Sequence, residues 1–231
     1  MLDIHDLNQF YAQSHTLWDI DLEVTTGKCT CLMGRNGVGK TTLLNCIMGA
    51  LPIASGTIEY RGKALHSLSM EQRARNGIGY VPQGRQIFPM LTVEENLQIG
   101  LPARPDKVRK VPDFIYELFP VLKEMQNRHG GDLSGGQQQQ LAIGRALVID
   151  PKLLILDEPT EGIQPNIVAE IGDVIRKLNR EIGMTVLLVE QKLHFVKKVA
   201  DQFCILDRGR RVAGGEVADL SDELVKEYLT V

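Results

Sequence analysis

The chain has 231 residues, 43% of them hydrophobic and 24% charged, and a formal net charge of −3. This is the composition of a globular protein, not a disordered one, and its acidic balance gives no general pull on nucleic acid, which is not expected as a partner. The longest apolar runs, residues 153–156 and 186–189, fall far short of the roughly 18–20 residues needed to cross a bilayer, so any membrane role must come through other chains.

The N-terminal MLDIHDLNQF mixes acidic and polar residues with apolar ones, unlike a signal peptide, and a cytoplasmic location is expected. LDIHDL, LWDIDLEV and CTCLM follow as short β-type runs, the last ending in GRNGVGKTT. From Thr41, TTLLNCIMGAL carries apolar residues at helical spacing, giving strand, loop, helix. SGTIEYRG predicts a further strand between turn residues, so the first quarter is expected to mix an antiparallel layer with the start of a parallel sheet. IGYV at 78–81 is another strand, and from Leu91 to about His129 the pattern is helical, interrupted by LPARPDK. An inserted helical subdomain is expected at about 91–144, within a core formed by about 1–90 and 145–231. LLILD and TVLLVE flank the helical IVAEIGDVIRKLNREIG, the pattern of a parallel sheet buried on both faces. FCILDRGRRVAGG supplies closing strands and a turn. Cys29, Cys31, Cys46 and Cys204 form no CxxC unit, and core packing is their expected role.

Residues 34–41, GRNGVGKT, fill every defined position of the phosphate-binding loop G-x-x-x-x-G-K-[ST] between a strand and a helix. Backbone N–H groups of Gly34, Arg35, Asn36, Gly37, Val38 and Gly39 can turn inward around phosphates, aided by the positive end of the following helix. Lys40 is placed to pair with the β- and γ-phosphates, Thr41 to offer a hydroxyl to Mg²⁺, and Thr42 to donate near the α-phosphate. LLILDEP sets Asp157 and Glu158 at the C-terminal end of a buried strand, the edge where open parallel sheets bind ligands. Asp157 fits the Mg²⁺ shell, and Glu158 is placed to polarise an attacking water, since phosphoryl transfer depends on positioning and charge stabilisation. An Asp-Glu pair alone is also a common helix start; the phosphate loop favours the catalytic reading.

LSGGQ at 133–137 leads into the helical QQQQLAIGRAL, with Ser134 as its cap. Here the sequence resembles the ABC ATPase family, of which LSGGQ is the signature, over essentially the whole chain. The resemblance implies a P-loop NTPase α/β fold, ATP and Mg²⁺, and ATP hydrolysis coupled to transport at the cytoplasmic face of the inner membrane. The chain carries two separated anion-binding helix starts, at Gly39 and at Ser134, which one nucleotide cannot bridge within a monomer. The family solution is a head-to-tail pair of cassettes, in which Ser134, Gly135, Gly136 and Gln137 meet the nucleotide held by the neighbour. Tyr11 matches the ring that stacks on adenine, with packing as its competing reading. Gln83, in YVPQ, matches the glutamine that touches Mg²⁺ or the attacking water, and GRQIFPMLTVEENL after it would line the groove for the membrane subunits.

Two positions depart from the family pattern. Gln164 stands for the usual aspartate that contacts the other subunit, and Gln191 for the usual switch histidine; glutamine can donate a hydrogen bond but cannot carry the charge or relay a proton. His194 lies one helical turn further on. VEQ and EPTEGIQPNIV resemble ATP-binding subunits of urea and branched-chain amino acid importers, most closely the urea-type E subunit. The implied partners are a second ABC ATPase subunit, two permease subunits and, indirectly, a solute-binding protein. The competing readings are a branched-chain amino acid importer subunit, a non-transport soluble ABC ATPase, and a cassette that binds ATP but turns over slowly because of Gln191.

Overall fold

The computed structural model describes residues 1–229. The chain opens with β1 (Leu2–Tyr11), β2 (Ser14–Val24), β3 (Cys29–Met33), α1 (Lys40–Met48), β4 (Ser55–Tyr60) and β5 (Lys63–Ala64). It continues with α2 (Met70–Arg75), β6 (Ile78–Val81), α3 (Val93–Gln98), α4 (Asp113–Leu118), α5 (Pro120–Glu124) and α6 (Gly135–Val148). The last part comprises β7 (Leu153–Asp157), α7 (Pro165–Arg180), β8 (Thr185–Val189), α8 (Leu193–Val199), β9 (Gln202–Asp207), β10 (Arg210–Glu216) and α9 (Asp222–Tyr228). Helices α3 to α6 all fall between β6 and β7. The short helices α2, α8 and α9 are not announced by the sequence, because six or seven residues hold too few turns to display a helical period.

Two sheets result. An antiparallel one has the order β2-β1-β4-β5, and a second has the order β10-β9-β3-β8-β7-β6, parallel except for the β9–β10 hairpin. Strands β3, β7 and β8 are buried at every residue, as strands covered on both faces must be. Their two-residue alternation divides the interior. Leu32, Ile155, Leu187 and Val189 pack with α1 and the antiparallel sheet, while Cys31, Leu154, Leu156 and Leu188 pack against α6, α7 and α8. Helix α1 is thereby held between the sheets. The four cysteines are free and buried, and burial raises each thiol above its ordinary range, the environment of an inert packing thiol.

Both ends of α1 are fixed by backbone geometry. It begins at Gly39, φ 109°, and ends at the left-handed Gly49 with Ala50 N–H donating to Asn45 O at 2.9 Å and Gly49 N–H to Cys46 O at 3.1 Å, a Schellman arrangement. The buried Arg73 guanidinium adds donors to Cys46 O (2.9 Å) and Ile47 O (2.6 Å), satisfying carbonyls that the helix end leaves over.

At the other end of α1, the β9–β10 turn supports the phosphate loop. Gly209 N–H donates to Val38 O at 2.9 Å, and Gly209 O accepts from Trp18 N–H at 2.8 Å, so one residue ties the loop to β2. A Cβ at Gly209 (φ +75°) would lie 2.0 Å from Thr16 O, whereas one at Gly62 (φ +71°) would meet nothing within 4 Å. Gly62→Ala therefore incurs backbone strain alone, about 1 kcal/mol, and Gly209→Ala adds a main-chain collision. Urea unfolding is expected to place Gly209→Ala at least about 2 kcal/mol below Gly62→Ala; equal midpoints would refute the wedge.

Candidate functional site

The parallel register sets the C-terminal ends of β3, β8 and β7 side by side: Leu32 pairs with Val189, and Val189 with Asp157. The phosphate loop, the Glu190–Gln191 segment and the Asp157–Glu158 pair leave the sheet at this one edge. Asn36, Gly37, Gly39, Lys40, Thr41, Thr42, Gln83, Glu158 and Glu161 line a cavity of about 270 Å³ there.

Within the loop, Gly34, Gly37 and Gly39 have φ of 138°, 81° and 109°, values open to glycine and costly for other residues. Gly34 also has no room for a side chain, since a Cβ would sit 2.3 Å from Leu206 O. The loop curls over Lys40, whose Nζ donates to Gly34 O at 2.8 Å and Arg35 O at 2.9 Å and lies 3.9 Å from Glu158 Oε1. The lysine is only 5% exposed. Burial pushes its ammonium below the usual lysine range, and the Glu158 and Asp157 carboxylates act in the opposite direction.

Asp157 is buried, and Thr41 Oγ1 donates to its Oδ2 at 3.3 Å while its Oδ1 has no hydrogen-bond partner. Burial raises its carboxyl to about 6, with the Glu158 charge adding to the rise and the Thr41 bond and Lys40 opposing it. Glu158 follows with φ 48°, a left-handed conformation that costs a non-glycine residue of order 1–3 kcal/mol. The kink is held by Glu158 N–H donating to Val189 O at 2.9 Å and by Glu161 N–H donating to Glu158 O at 3.1 Å. Gln191 Nε2 donates to Glu158 Oε1 at 2.6 Å and to Asn36 Oδ1 at 2.7 Å. Gln83 Nε2 donates to Glu161 Oε2 at 2.9 Å and to Glu158 Oε2 at 3.4 Å.

Lys40, Thr41, Thr42, Gln83, Asp157, Glu158 and Gln191, expected together from the sequence, thus meet at one place. Ser134, Gly135, Gly136 and Gln137 do not join them: they line another cavity, of about 690 Å³, with Gln164 and Ile167. Ser134 caps α6 in a capping box with Gln137, its N–H donating to Gln137 Oε1 at 2.9 Å and its Oγ accepting from Gln137 N–H at 3.4 Å. Tyr11 is exposed at the end of β1, outside the lining of either cavity, and His194 is exposed in the first turn of α8. Sequence reasoning did not single out Glu161, the third carboxylate in a five-residue stretch, nor Thr160 and Glu190, which are buried behind the site. The charged residue that ends the apolar run TVLLV was the available signal for Glu190.

A hard divalent cation prefers oxygen donors. The unpartnered, buried Asp157 Oδ1 and the adjacent Thr41 hydroxyl suit Mg²⁺, although no group of three or more His, Cys, Asp or Glu among the described residues could hold a metal by itself. A cation here would need further oxygens, from water or a bound phosphate.

A glycine loop closed over a lysine, at the strand ends of a parallel sheet and beside acidic side chains, defines a P-loop nucleotide-binding protein. The ABC transporter family model matches residues 17–161. The chain is 44% identical to the high-affinity branched-chain amino acid transport ATP-binding protein BraG of Pseudomonas aeruginosa, over 92% of this chain and 91% of that one. It is 37% identical to the probable branched-chain amino acid transport ATP-binding protein LivF of Archaeoglobus fulgidus, over 95% and 94%. Its fold matches the dimeric post-hydrolysis state of the ATP-binding cassette MJ0796 bound to ADP and Pi, with TM-score 0.83, 25% identity and coverage of 94% and 99%. The chain therefore belongs to the ABC transporter family: it is an ATP-binding subunit, and an ATPase whose hydrolysis is coupled to transport.

The Asp157 environment has a measurable consequence. A carboxyl raised from 3.8 to about 6 on folding binds its proton more tightly in the folded state. Its contribution to stability therefore falls as pH rises from about 4 to about 6 and is constant above that. Without Mg²⁺ or nucleotide, the stability of Asp157→Asn relative to the parent chain is expected to rise by on the order of 3 kcal/mol across that window. Denaturant melts at pH 4, 5, 6 and 7 would read this out, and a pH-independent difference would show that Asp157 is not desolvated as described.

Proposed function

We propose that this chain is the energising subunit of an importer for branched-chain amino acids. The carrying observation is its likeness, over nearly all of its length, to two ATP-binding proteins named for branched-chain amino acid transport. Those relatives favour this solute over urea, for which the EPTEGIQP resemblance remains the support. The subunit pairs head to tail with a second cassette, identical or related, and sits on two permease subunits fed by a solute-binding protein. This makes it peripheral at the cytoplasmic face of the membrane; no helix among the described residues is long and apolar enough to cross one.

In this reading Lys40 leaves its two carbonyl partners to pair with the β- and γ-phosphates, while the inward N–H groups of residues 34–39 and the start of α1 hold the chain of phosphates. Thr41, Asp157 and Gln83 hold Mg²⁺, which when bound supplies charge neutralisation at the phosphates. Glu158 accepts a hydrogen bond from the attacking water and aims it, and Gln191 donates its amide toward the γ-phosphate. Tyr11 stacks on adenine. The helix start at Ser134, with Gly135, Gly136 and Gln137, approaches the γ-phosphate bound by the neighbour. The separation of the two cavities within one chain supports this division of labour. The segment after Gln83, residues 84–97, lines the groove that receives the permeases, and the helical segment at about 91–144 forms a subdomain.

Glu158→Gln is expected to bind ATP with near-normal affinity, to hydrolyse it at least about a hundredfold more slowly, and to persist as a closed dimer in size-exclusion chromatography. Normal turnover would remove Glu158 from the assigned role. The solute is tested separately: a deletion strain should lose leucine uptake and keep urea uptake, and the reverse pattern would restore the urea reading. Gln191→His tests for slow turnover, since a single-turnover rate many-fold above the parent would mean that Gln191 limits catalysis.

A further inference from the structure

Glu190 directly follows β8 and is only 3% exposed. A carboxylate in such a place must be held by donors or it destabilises the fold. Its Oε2 accepts from Thr160 Oγ1 at 2.6 Å, and its Oε1 accepts from Gln191 N–H at 2.8 Å and Lys192 N–H at 3.1 Å. A second link runs alongside, from Lys192 Nζ to Thr160 O at 2.8 Å. Thr160 lies two residues beyond Glu158 and is fully buried; Gln191 donates to Glu158 Oε1 at 2.6 Å. Glu190 thus grips both segments that carry the Glu158–Gln191 contact, one through a hydroxyl and the other through its backbone.

We propose that Glu190 is a positioning residue for ATP hydrolysis, fixing the Gln191 amide against Glu158 by bonding Thr160 on one side and the main chain of Gln191 on the other. The reason lies in the side chain at 191. A glutamine carries no charge, so its attraction to a carboxylate has little reach and depends on hydrogen-bond geometry. It also has more rotatable bonds than an imidazole and loses more conformational freedom when held. A rigid main chain beneath Gln191 limits that cost, and Glu190 supplies the rigidity without touching substrate. The partners of Glu190 also explain why an acid suits the position: three donors converge on it and need an acceptor with several lone pairs.

The inference rests on the proposed roles of Glu158 and Gln191, and its test is built to separate the two. Steady-state ATPase of the subunit assembled with its cognate membrane subunits would be measured for Glu190→Ala, Gln191→Ala, the double variant, Glu190→Gln and Thr160→Val. Glu190→Ala should lower kcat by about tenfold with KM for ATP unchanged, and should add less than about twofold in the Gln191→Ala background, because its effect passes through Gln191. Glu190→Gln keeps a carbonyl acceptor for the two N–H groups and should stay within about twofold to threefold of the parent. Thr160→Val preserves shape, removes one donor and should fall between, which keeps the test open should Glu190→Ala not fold. Equal fold-losses from Glu190→Ala in both backgrounds, or a rise in KM with kcat unchanged, would overturn the positioning role alone. An unaltered kcat in Gln191→Ala would overturn the site reading and this inference with it.

Discussion

The parallel register of β3, β8 and β7 places the phosphate loop, the acidic pair and Gln191 together. Neighbouring strands in a sheet lie about 4.8 Å apart, so three strands ending together bring three loops within reach of one small ligand. The pairings Leu32 to Val189 and Val189 to Asp157 put the first glycine of the phosphate loop, the Glu190–Gln191 segment and the acidic pair into that row. Because β3, β7 and β8 are buried on both faces, a slip in register would move apolar side chains out of both layers of the core at once. The stability of the interior thereby guards the distances at the edge.

Charge is the second constraint. Asp157, Glu158 and Glu161 crowd near a single buried lysine, and the chain relieves the crowding in different ways. Asp157 is raised toward protonation, Glu158 receives amide hydrogens from Gln191 and Gln83, and Glu161 takes the shorter Gln83 bond. In the proposed function this acidic pocket receives a polyanion, and a cation between them would offset the repulsion. The unpartnered oxygen of Asp157 marks where that need is felt. With Lys40 in its proposed role, ATP binding breaks contacts that the chain makes for itself, since Lys40 is engaged with two carbonyls of its own loop. In the proposed function, nucleotide enters the cavity beside Lys40 and also replaces those internal partners.

The two-cavity arrangement turns these local facts into assembly. The phosphate loop and the Ser134 helix start line separate cavities of one chain, which is the arrangement the proposed head-to-tail pairing requires. Gln164 lies on the Ser134 side, where a subunit contact would fall, and its neutral amide can serve as donor or acceptor where a carboxylate could only accept.

The phosphate loop, the acidic pair and the capped helix at Ser134 could be read from the chain itself, because each is a local pattern in which a few neighbouring residues dictate backbone geometry. Period-two and near-continuous apolar runs likewise gave the strands and their burial. Thr160 and Glu161 could not be read in this way, and for Glu190 only a charge at the end of an apolar run was visible. Their significance lies in bonds to residues distant along the chain, such as Thr160 to Glu190 and Gln83 to Glu161, and such pairings exist only once the sheet register is formed. The solute was beyond local pattern as well, since no residue of this subunit touches it in the proposed assembly. Sequence determined which chemical groups are present and how each short segment bends; tertiary structure decided which of them meet, because hydrogen bonds of 2.6–3.4 Å demand a placement that only the packed sheet provides.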